Sequence, residues 1–214
     1  MSICNSSLKP DHISICQAGL SYKRKRIQNA LRILKYYDIK YTYTKIEFTN
    51  MGAARNKAIN QLETKWVMYL DADDELLKHG IKYLSRFMGK KVDVIVGGLL
   101  IKENKRKIKK FFGSKNYSKE KLKNGTWLNS HSLFRKKILK KVQYPDSEYC
   151  NNFFWAGIAS LDVNFVYIDY LCTIYNKHDG SHSETITKKN LDNWEYELSI
   201  YLKEIRKNVS KKSM

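Results

Sequence analysis

The sequence predicts an α/β fold, with a mostly parallel central sheet flanked by helices and a small antiparallel hairpin. Short apolar or β-branched runs alternate with longer segments of helical periodicity, and this alternation is typical of such sheets. The 214 residues are enough for one domain with a hydrophobic core. Their 43% hydrophobic and 13% aromatic content excludes a wholly disordered chain. Only two prolines and no Gly/Ser-rich linker interrupt the sequence, so we expect a single domain.

Capping residues and periodicity place the elements along the chain. Ser21 and Asn50 are suited to cap the first two helices, because their side-chain oxygens can accept hydrogen bonds from free helical N–H groups. The pattern predicts strands at residues 12–16, 40–48, 65–71, 92–98, 128–134 and 165–169. It predicts helices at residues 22–37, 51–62, 75–87, 136–141, 152–161 and 191–209, with a basic hairpin at residues 99–112.

The C-terminal segment has the pattern of an amphipathic helix with a basic tail. Apolar residues such as Trp194 and Tyr201 recur on one face, and Arg206 begins a run rich in lysine. We assign residues 1–190 to one domain, and residues 191–214 to this helix and tail, packed on or extending from that domain. Two interpretations stay open: a packing helix with a solvated tail, or a helix that contacts an anionic membrane surface.

The formal net charge of +19 indicates either an anionic partner or a lysine-rich, solvated surface. The lysines are scattered from end to end, which favours the second interpretation. A basic nucleic-acid-binding module is an alternative. However, the basic residues form no recognised motif and the aromatic residues are not interleaved with them at surface spacing, so we expect no nucleic acid partner.

The cysteine pattern does not indicate a zinc site, because no two cysteines form a Cys-x-x-Cys pair. No secretory signal and no apolar run of membrane-spanning length is visible. We therefore expect a cytoplasmic protein with free thiols. Peripheral contact with the inner face of a membrane is an open alternative. The cysteines are Cys4, Cys16, Cys150 and Cys172.

A predicted buried strand ends in two closely spaced carboxylates, Asp71 and Asp73. In open α/β sheets, ligands bind at the carboxyl ends of the strands. Two carboxylates in a crevice repel each other unless a cation neutralises them. Hard divalent ions with oxygen ligands, often shared with phosphates, suit such a place. The sequence therefore predicts a metal–diphosphate site that takes Mn²⁺ or Mg²⁺.

Three segments of the chain carry further motifs in a fixed order. The first pairs residues 50–56, with the sequence NMGAARN, with residues 69–74, with the sequence YLDADD. The second is residues 131–139 and the third lies within residues 168–183. Together they resemble glycosyltransferase family 2, a family of the GT-A fold, over about residues 50–183. The resemblance implies a GT-A-like, Rossmann-type single domain in a shortened version.

The resemblance also implies an activity: inverting sugar transfer from a nucleoside-diphosphate sugar, with a UDP-sugar favoured, to a hydroxyl of a glycan, lipid or protein. Asp71 would lie near the ribose or base of the donor. Asp73 and His178 would hold Mn²⁺ or Mg²⁺ at the diphosphate, although an exposed loop histidine is the alternative for His178. Arg55 would contact the donor or brace the loop that carries the carboxylates.

The N-terminal part departs from the family pattern. The family's second strand ends in Asp-Asp-x-Ser, whose Asp contacts the base, and this chain has no such motif. One strand–helix step is missing. We expect the turn after the first strand to take over base recognition through Gln17 and Gly19, because glycine permits close approach of the backbone to a ligand.

The catalytic base is the second departure. Inverting transfer needs a carboxylate to accept the proton of the attacking hydroxyl. The family supplies an Asp at the start of a late helix, and Asn151 stands at that position here. Glu148 or Asp146 would substitute. The alternatives are that these are ordinary acids favoured by the helix dipole, and that the chain is a catalytically impaired, GT-A-like binding protein.

Overall fold

The computed structural model describes residues 2–19, 24–47, 51–89, 91–103, 107–112, 117–124, 128, 131–147, 149–178 and 194–211. The strands in these residues are β1 (Ile13–Ala18), β2 (Tyr41–Ile46), β3 (Trp66–Met68), β4 (Glu75–Leu76), β5 (Val94–Glu103), β6 (Lys107–Phe111), β7 (Leu133–Arg135) and β8 (Phe165–Lys177). The helices are α1 (Arg24–Tyr36), α2 (Met51–Asn60), α3 (Gly80–Ser85), α4 (Lys119–Lys123), α5 (Lys136–Leu139), α6 (Cys150–Ser160) and α7 (Trp194–Lys211), preceded by a 3₁₀ turn at Ile3–Asn5.

The described strands form two sheets. β1 and β2 pair in parallel, and the other strands form a larger sheet in the order β3-β7-β5-β8-β4, with β6 paired to β5. In the larger sheet β5 and β8 are parallel. β7 is antiparallel to both β3 and β5, and β4 is antiparallel to β8. The antiparallel β5–β6 pair is the predicted basic hairpin.

The predicted α/β fold is confirmed, but the central sheet is mixed where the sequence predicted mostly parallel pairing. β7 runs directly into α5 and pairs antiparallel with both of its neighbours. A parallel pair needs a crossover connection, whereas antiparallel neighbours do not. Alternating strands and helices favour parallel pairing in general, but the pattern does not show which strands become neighbours, so the sequence could not show the direction of β7.

The predicted helix at residues 75–87 is shorter in the structure. Its first residues, Glu75 and Leu76, instead pair with β8. The helix begins at Gly80, where the chain passes so close to β8 that a Cβ atom would lie 2.3 Å from the backbone oxygen of Cys172. β4 therefore fixes the end of the carboxylate loop against β8.

α6 lies in the middle of the hydrophobic core. Phe153, Phe154 and Trp155 are fully buried. Phe154 stacks on Tyr144 with ring centroids 4.0 Å apart and meets Tyr69 edge-on. Burying each such side chain contributes roughly 1.5–3 kcal/mol to stability. These contacts hold the beginning of α6 close to the loop that follows β3.

α7 packs on the same core. Its Tyr201 and Ile205 are buried, and the Tyr201 hydroxyl donates to the backbone oxygen of Gln143 at 2.7 Å. Residues 179–193 lie outside the described part of the chain, so the boundary at residue 190 stays a prediction, as does membrane contact. None of the described helices combines the length and apolar character needed to cross a membrane.

All four cysteines are free thiols, as predicted. Burial raises the pKa of Cys172 to about 12 and also raises the pKa of Cys150. These two side chains are therefore neutral at physiological pH and act as small apolar groups.

Candidate functional site

The loop that follows β3 carries the paired carboxylates. Its backbone turns where the N–H of Asp74 donates to the oxygen of Asp71 at 3.1 Å. Arg55, on α2, reaches this loop, and its Nη2 lies 2.7 Å from each carboxylate oxygen of Asp71. The Arg55 side chain is 8% exposed and that of Asp71 is 30% exposed. The charge of Asp71 is therefore paired inside the protein while part of the carboxylate still faces solvent.

Both members of this ion pair are charged in the folded protein. Burial acts to raise the pKa of Asp71, but the charge and hydrogen bonds of Arg55 outweigh it, and the pKa falls below its ordinary value. Burial acts to lower the pKa of Arg55, whereas the neighbouring Tyr144 and Asp71 raise it above its ordinary value. Arg55 therefore keeps the buried carboxylate of Asp71 ionised, and the guanidinium of Arg55 stays protonated.

Arg55 also connects α2 to the beginning of α6. Its Nη1 donates to Oδ1 of Asn151, and its guanidinium lies over the ring of Tyr144, 4.9 Å from the centroid. Asn56 donates to the backbone oxygen of Tyr144 at 2.8 Å and accepts from its N–H at 3.0 Å. The amide at position 151 is therefore a hydrogen-bond acceptor for Arg55. An amide oxygen of this kind is not a proton-accepting base.

Asp73 and His178 lie together on the open side of the loop. Nε2 of His178 is 3.2 Å from Oδ2 of Asp73, and both side chains are about half-exposed. The sequence predicted these two residues as metal ligands, and the structure brings them into contact. Their exposure leaves them accessible to an ion and to a phosphate group.

Asp74 and His131 form a second, buried pair behind the first. Their side chains are 1% and 3% exposed, and Nε2 of His131 lies 2.9 Å from Oδ2 of Asp74. Ligand atoms of Asp71, Asp74 and His131 lie within 4.8 Å of one another. The sequence assigned no role to Asp74 or His131. The signal was nevertheless present, because Asp74 ends the YLDADD motif and His131 opens the second resembling segment.

The donor atoms of this region fit a divalent ion. Carboxylate oxygens suit Mg²⁺ and Mn²⁺, and imidazole nitrogen is a common partner for transition metals. Asp74 already accepts from the N–H of Asn176 at 2.9 Å, and Nδ1 of His131 is 3.3 Å from the hydroxyl oxygen of Thr173. The buried pair thus makes several internal contacts, whereas the side chains of Asp73 and His178 are about half-exposed to solvent.

Gln17 and Gly19 lie at the end of β1. Gln17 was expected in a turn but belongs to the strand, where Tyr43 donates to its Oε1 at 2.5 Å. Its Nε2 donates to the oxygen of Gly19 at 3.3 Å. Gly19 has φ 89°, in the left-handed region that favours glycine. The side chain of Gln17 is therefore already engaged at this edge.

Of the two predicted bases, the structure describes one. Asp146 is exposed in the segment before α6. Glu148 lies outside the described residues. Both assignments stay predictions.

Comparison with known protein families identifies the class. The family model described as glycosyl transferase family 2 matches residues 2–154, which is more than half of the chain. The chain belongs to this family. The match begins well before the resembling motifs at residues 50–56 and ends before residues 168–183, so the region that contains His178 is outside it. No curated protein matches the chain.

Solved structures show the same fold. S. aureus TarS 1–349 in complex with UDP-GlcNAc is 16% identical, with a TM-score of 0.68 over 92% of this chain and 58% of that chain. TarS 1–349 in complex with UDP is 15% identical, with a TM-score of 0.62 over 95% of this chain and 64% of that chain. This chain thus spans less than two thirds of the length of these structures. At such identities the likeness establishes the GT-A fold.

Proposed function

We propose that this chain acts as a metal-dependent, inverting glycosyltransferase domain. It takes a nucleoside-diphosphate sugar and transfers the sugar to a hydroxyl of a glycan, lipid or protein. The observation that carries the proposal is the half-exposed Asp73–His178 pair beside the Asp71–Arg55 ion pair, in a chain of glycosyl transferase family 2. The structures of TarS 1–349 are complexes with UDP-GlcNAc and with UDP, which favours a UDP-sugar as the donor here.

In this proposal Asp73 and His178 hold Mn²⁺ or Mg²⁺. When bound, such an ion acts as a Lewis acid that offsets the negative charge on the leaving diphosphate. Asp71 accepts hydrogen bonds from the ribose or base with the part of its carboxylate that faces solvent, while Arg55 keeps that carboxylate charged and fixed. Gln17 and Gly19 contribute backbone and amide contacts to the base.

A carboxylate must accept the proton of the attacking hydroxyl, and we propose Glu148 or Asp146 for this role. Asn151 stands at the family's position for the base and is bonded to Arg55 instead. We expect Glu148→Gln or Asp146→Asn to lower the rate of transfer by about 100-fold or more, the usual size of general-base effects. If both variants keep full turnover with unchanged donor binding, neither residue is the base.

A thermal-unfolding panel tests the whole proposal. The chain is heated with UDP, GDP or dTDP, each with and without Mn²⁺. A ligand present at about 100 times its dissociation constant stabilises by about 2.7 kcal/mol. For a protein of this size, such a stabilisation raises the midpoint temperature of thermal unfolding by about 5–10 °C. We expect this increase for UDP only when Mn²⁺ is present, together with slow hydrolysis of a UDP-sugar without acceptor.

The panel also separates the alternatives. If no nucleoside diphosphate raises the midpoint with Mn²⁺ present, the proposed function is wrong. If UDP with Mn²⁺ stabilises the chain but no UDP-sugar is hydrolysed or transferred, the catalytically impaired binding protein is favoured. The hydrogen bond that engages Asn151 with Arg55 is the observation in favour of this second candidate. The glycosyltransferase proposal also includes action in the cytoplasm, with peripheral contact to a membrane that carries the acceptor.

A further inference from the structure

The end of β8 holds the carboxylate loop through one residue. Asn176 donates from its side-chain Nδ2 to the backbone oxygen of Asp73 at 2.7 Å. Its backbone N–H donates to Oδ1 of Asp74 at 2.9 Å. The same Nδ2 lies 3.4 Å from Oε1 of Glu75. Asn176 thus forms hydrogen bonds to three successive residues, Asp73 and Asp74 of the loop and Glu75 at the beginning of β4.

The buried side of the loop is fixed independently. Oδ2 of Asp74 lies 2.9 Å from Nε2 of His131, and Oδ1 of the same carboxylate accepts from Asn176. Because Asp74 is almost fully buried, these contacts hold it against both β8 and the segment before β7. Asp73 is different. Its side chain is exposed, and its main chain is held by the side-chain amide of Asn176.

The placement of Asn176 relates Asp73 to His178. Asn176 lies in β8, and His178 follows Lys177, the last residue of this strand. Asn176 contacts the backbone oxygen of Asp73, and His178, two residues further on, contacts its carboxylate. The backbone and the side chain of Asp73 therefore both contact the same short stretch of chain, residues 176–178.

We propose that Asn176 is a positioning residue: its side-chain amide fixes the main chain of Asp73 so that the Asp73 carboxylate and the His178 imidazole face a divalent ion together. This inference rests on the proposed function. A loop that is already ordered in the folded protein loses little conformational entropy when it binds a ligand, so its affinity for the ligand is higher. Groups that orient metal ligands typically contribute 10- to 100-fold to metal affinity or activity.

The test is calorimetric titration of UDP into the full chain, with Mn²⁺ and with EDTA. Asn176→Ala removes the side-chain amide but keeps the backbone N–H that bonds Asp74. We expect its dissociation constant for UDP with Mn²⁺ to rise by about 10- to 100-fold, while the weak binding of UDP in EDTA stays unchanged. The matched control is Asn164→Ala at the opposite end of β8, where Asn164 is exposed and its main-chain bonds would survive.

Asn176→Asp gives a second and sharper test. It has almost the same shape but no side-chain donor, and it places a carboxylate against the Asp73 oxygen and Glu75. If the added negative charge of Asn176→Asp were the main effect, Mn²⁺-dependent binding of UDP would become tighter. If Asn176 positions the main chain of Asp73, this binding becomes weaker, because the side-chain donor is lost. Weaker binding in both folded variants supports the proposal, and wild-type or tighter binding in either one overturns it.

Thermal unfolding of each variant completes the experiment. If both variants fail to fold, Asn176 serves overall stability and the positioning role is wrong. If the wild-type chain itself does not bind UDP with Mn²⁺, the proposed function fails. If the wild type binds and the variants bind equally well, only the role of Asn176 fails.

Discussion

Replacing Arg55 with methionine is expected to lower the free energy of unfolding by about 3 kcal/mol. Methionine keeps much of the length of the side chain but leaves the carboxylate of Asp71 without its counter-charge. It also leaves Oδ1 of Asn151 without the donor that it has in the structure. Removing one partner of a buried ion pair typically costs about 3–5 kcal/mol, because the remaining charge is desolvated and unpaired. We expect a value at the lower end of this range, because the side chain of Asp71 is 30% exposed.

Urea unfolding at several pH values measures this effect. The folded-state pKa of Asp71 is lowered, so the pair stabilises the protein above the unfolded-state pKa of about 3.9. That contribution is lost as the pH falls through the folded-state pKa. The difference in the free energy of unfolding between wild type and variant is therefore largest at neutral pH and becomes smaller in acid. Arg32→Met, at an exposed position of α1, is the control, and an equal loss in both variants would contradict the buried pair.

Replacing Asp73 with asparagine is expected to lower the rate of sugar transfer by about 100-fold or more. The proposed role of Asp73 is to hold the ion that offsets charge on the leaving diphosphate. Asparagine keeps the shape but removes the charge. Because the side chain is about half-exposed and is not part of the core, we expect the free energy of unfolding to change by no more than about 0.5 kcal/mol.

The measurement is a Mn²⁺ titration of transfer, or of UDP-sugar hydrolysis, alongside urea unfolding. Asp162→Asn is the matched control, since it removes an exposed carboxylate before the beginning of β8. We expect a large loss of transfer or hydrolysis activity for Asp73→Asn and no such loss for Asp162→Asn. A variant with unchanged activity and unchanged Mn²⁺ dependence would show that the ion is held elsewhere, with the Asp71, Asp74 and His131 group as the next candidate.

Local patterns were sufficient for elements that are buried along their length. The strand predicted at residues 92–98 is the first part of β5, and the helix predicted at residues 152–161 is α6 within two residues. β4 could not be predicted, because Glu75 and Leu76 form a strand only through pairing with β8, far along the chain. The direction of β7 likewise depends on its partners.

The candidate site divides in the same way. Asp71 and Asp73 are predicted from a strand that ends in two carboxylates, and His178 from the resemblance to the family; their roles stay predictions, although the structure brings Asp73 and His178 into contact. Asp74 and His131 could not be assigned as a pair, because the sequence does not show that their side chains meet in the core. The bond between Arg55 and Asn151 joins two helices and likewise appears only in three dimensions.

The packing of α7 on α6 also has a consequence for biosynthesis. Phe153 of α6 meets both Trp194 and Tyr201 of α7. A ribosome releases α6 well before α7, so this aromatic surface remains uncovered until the later helix has emerged. Uncovered apolar surface is what makes nascent chains prone to aggregation and a target for chaperones. The chain therefore completes its core only after translation has passed residues 194–211.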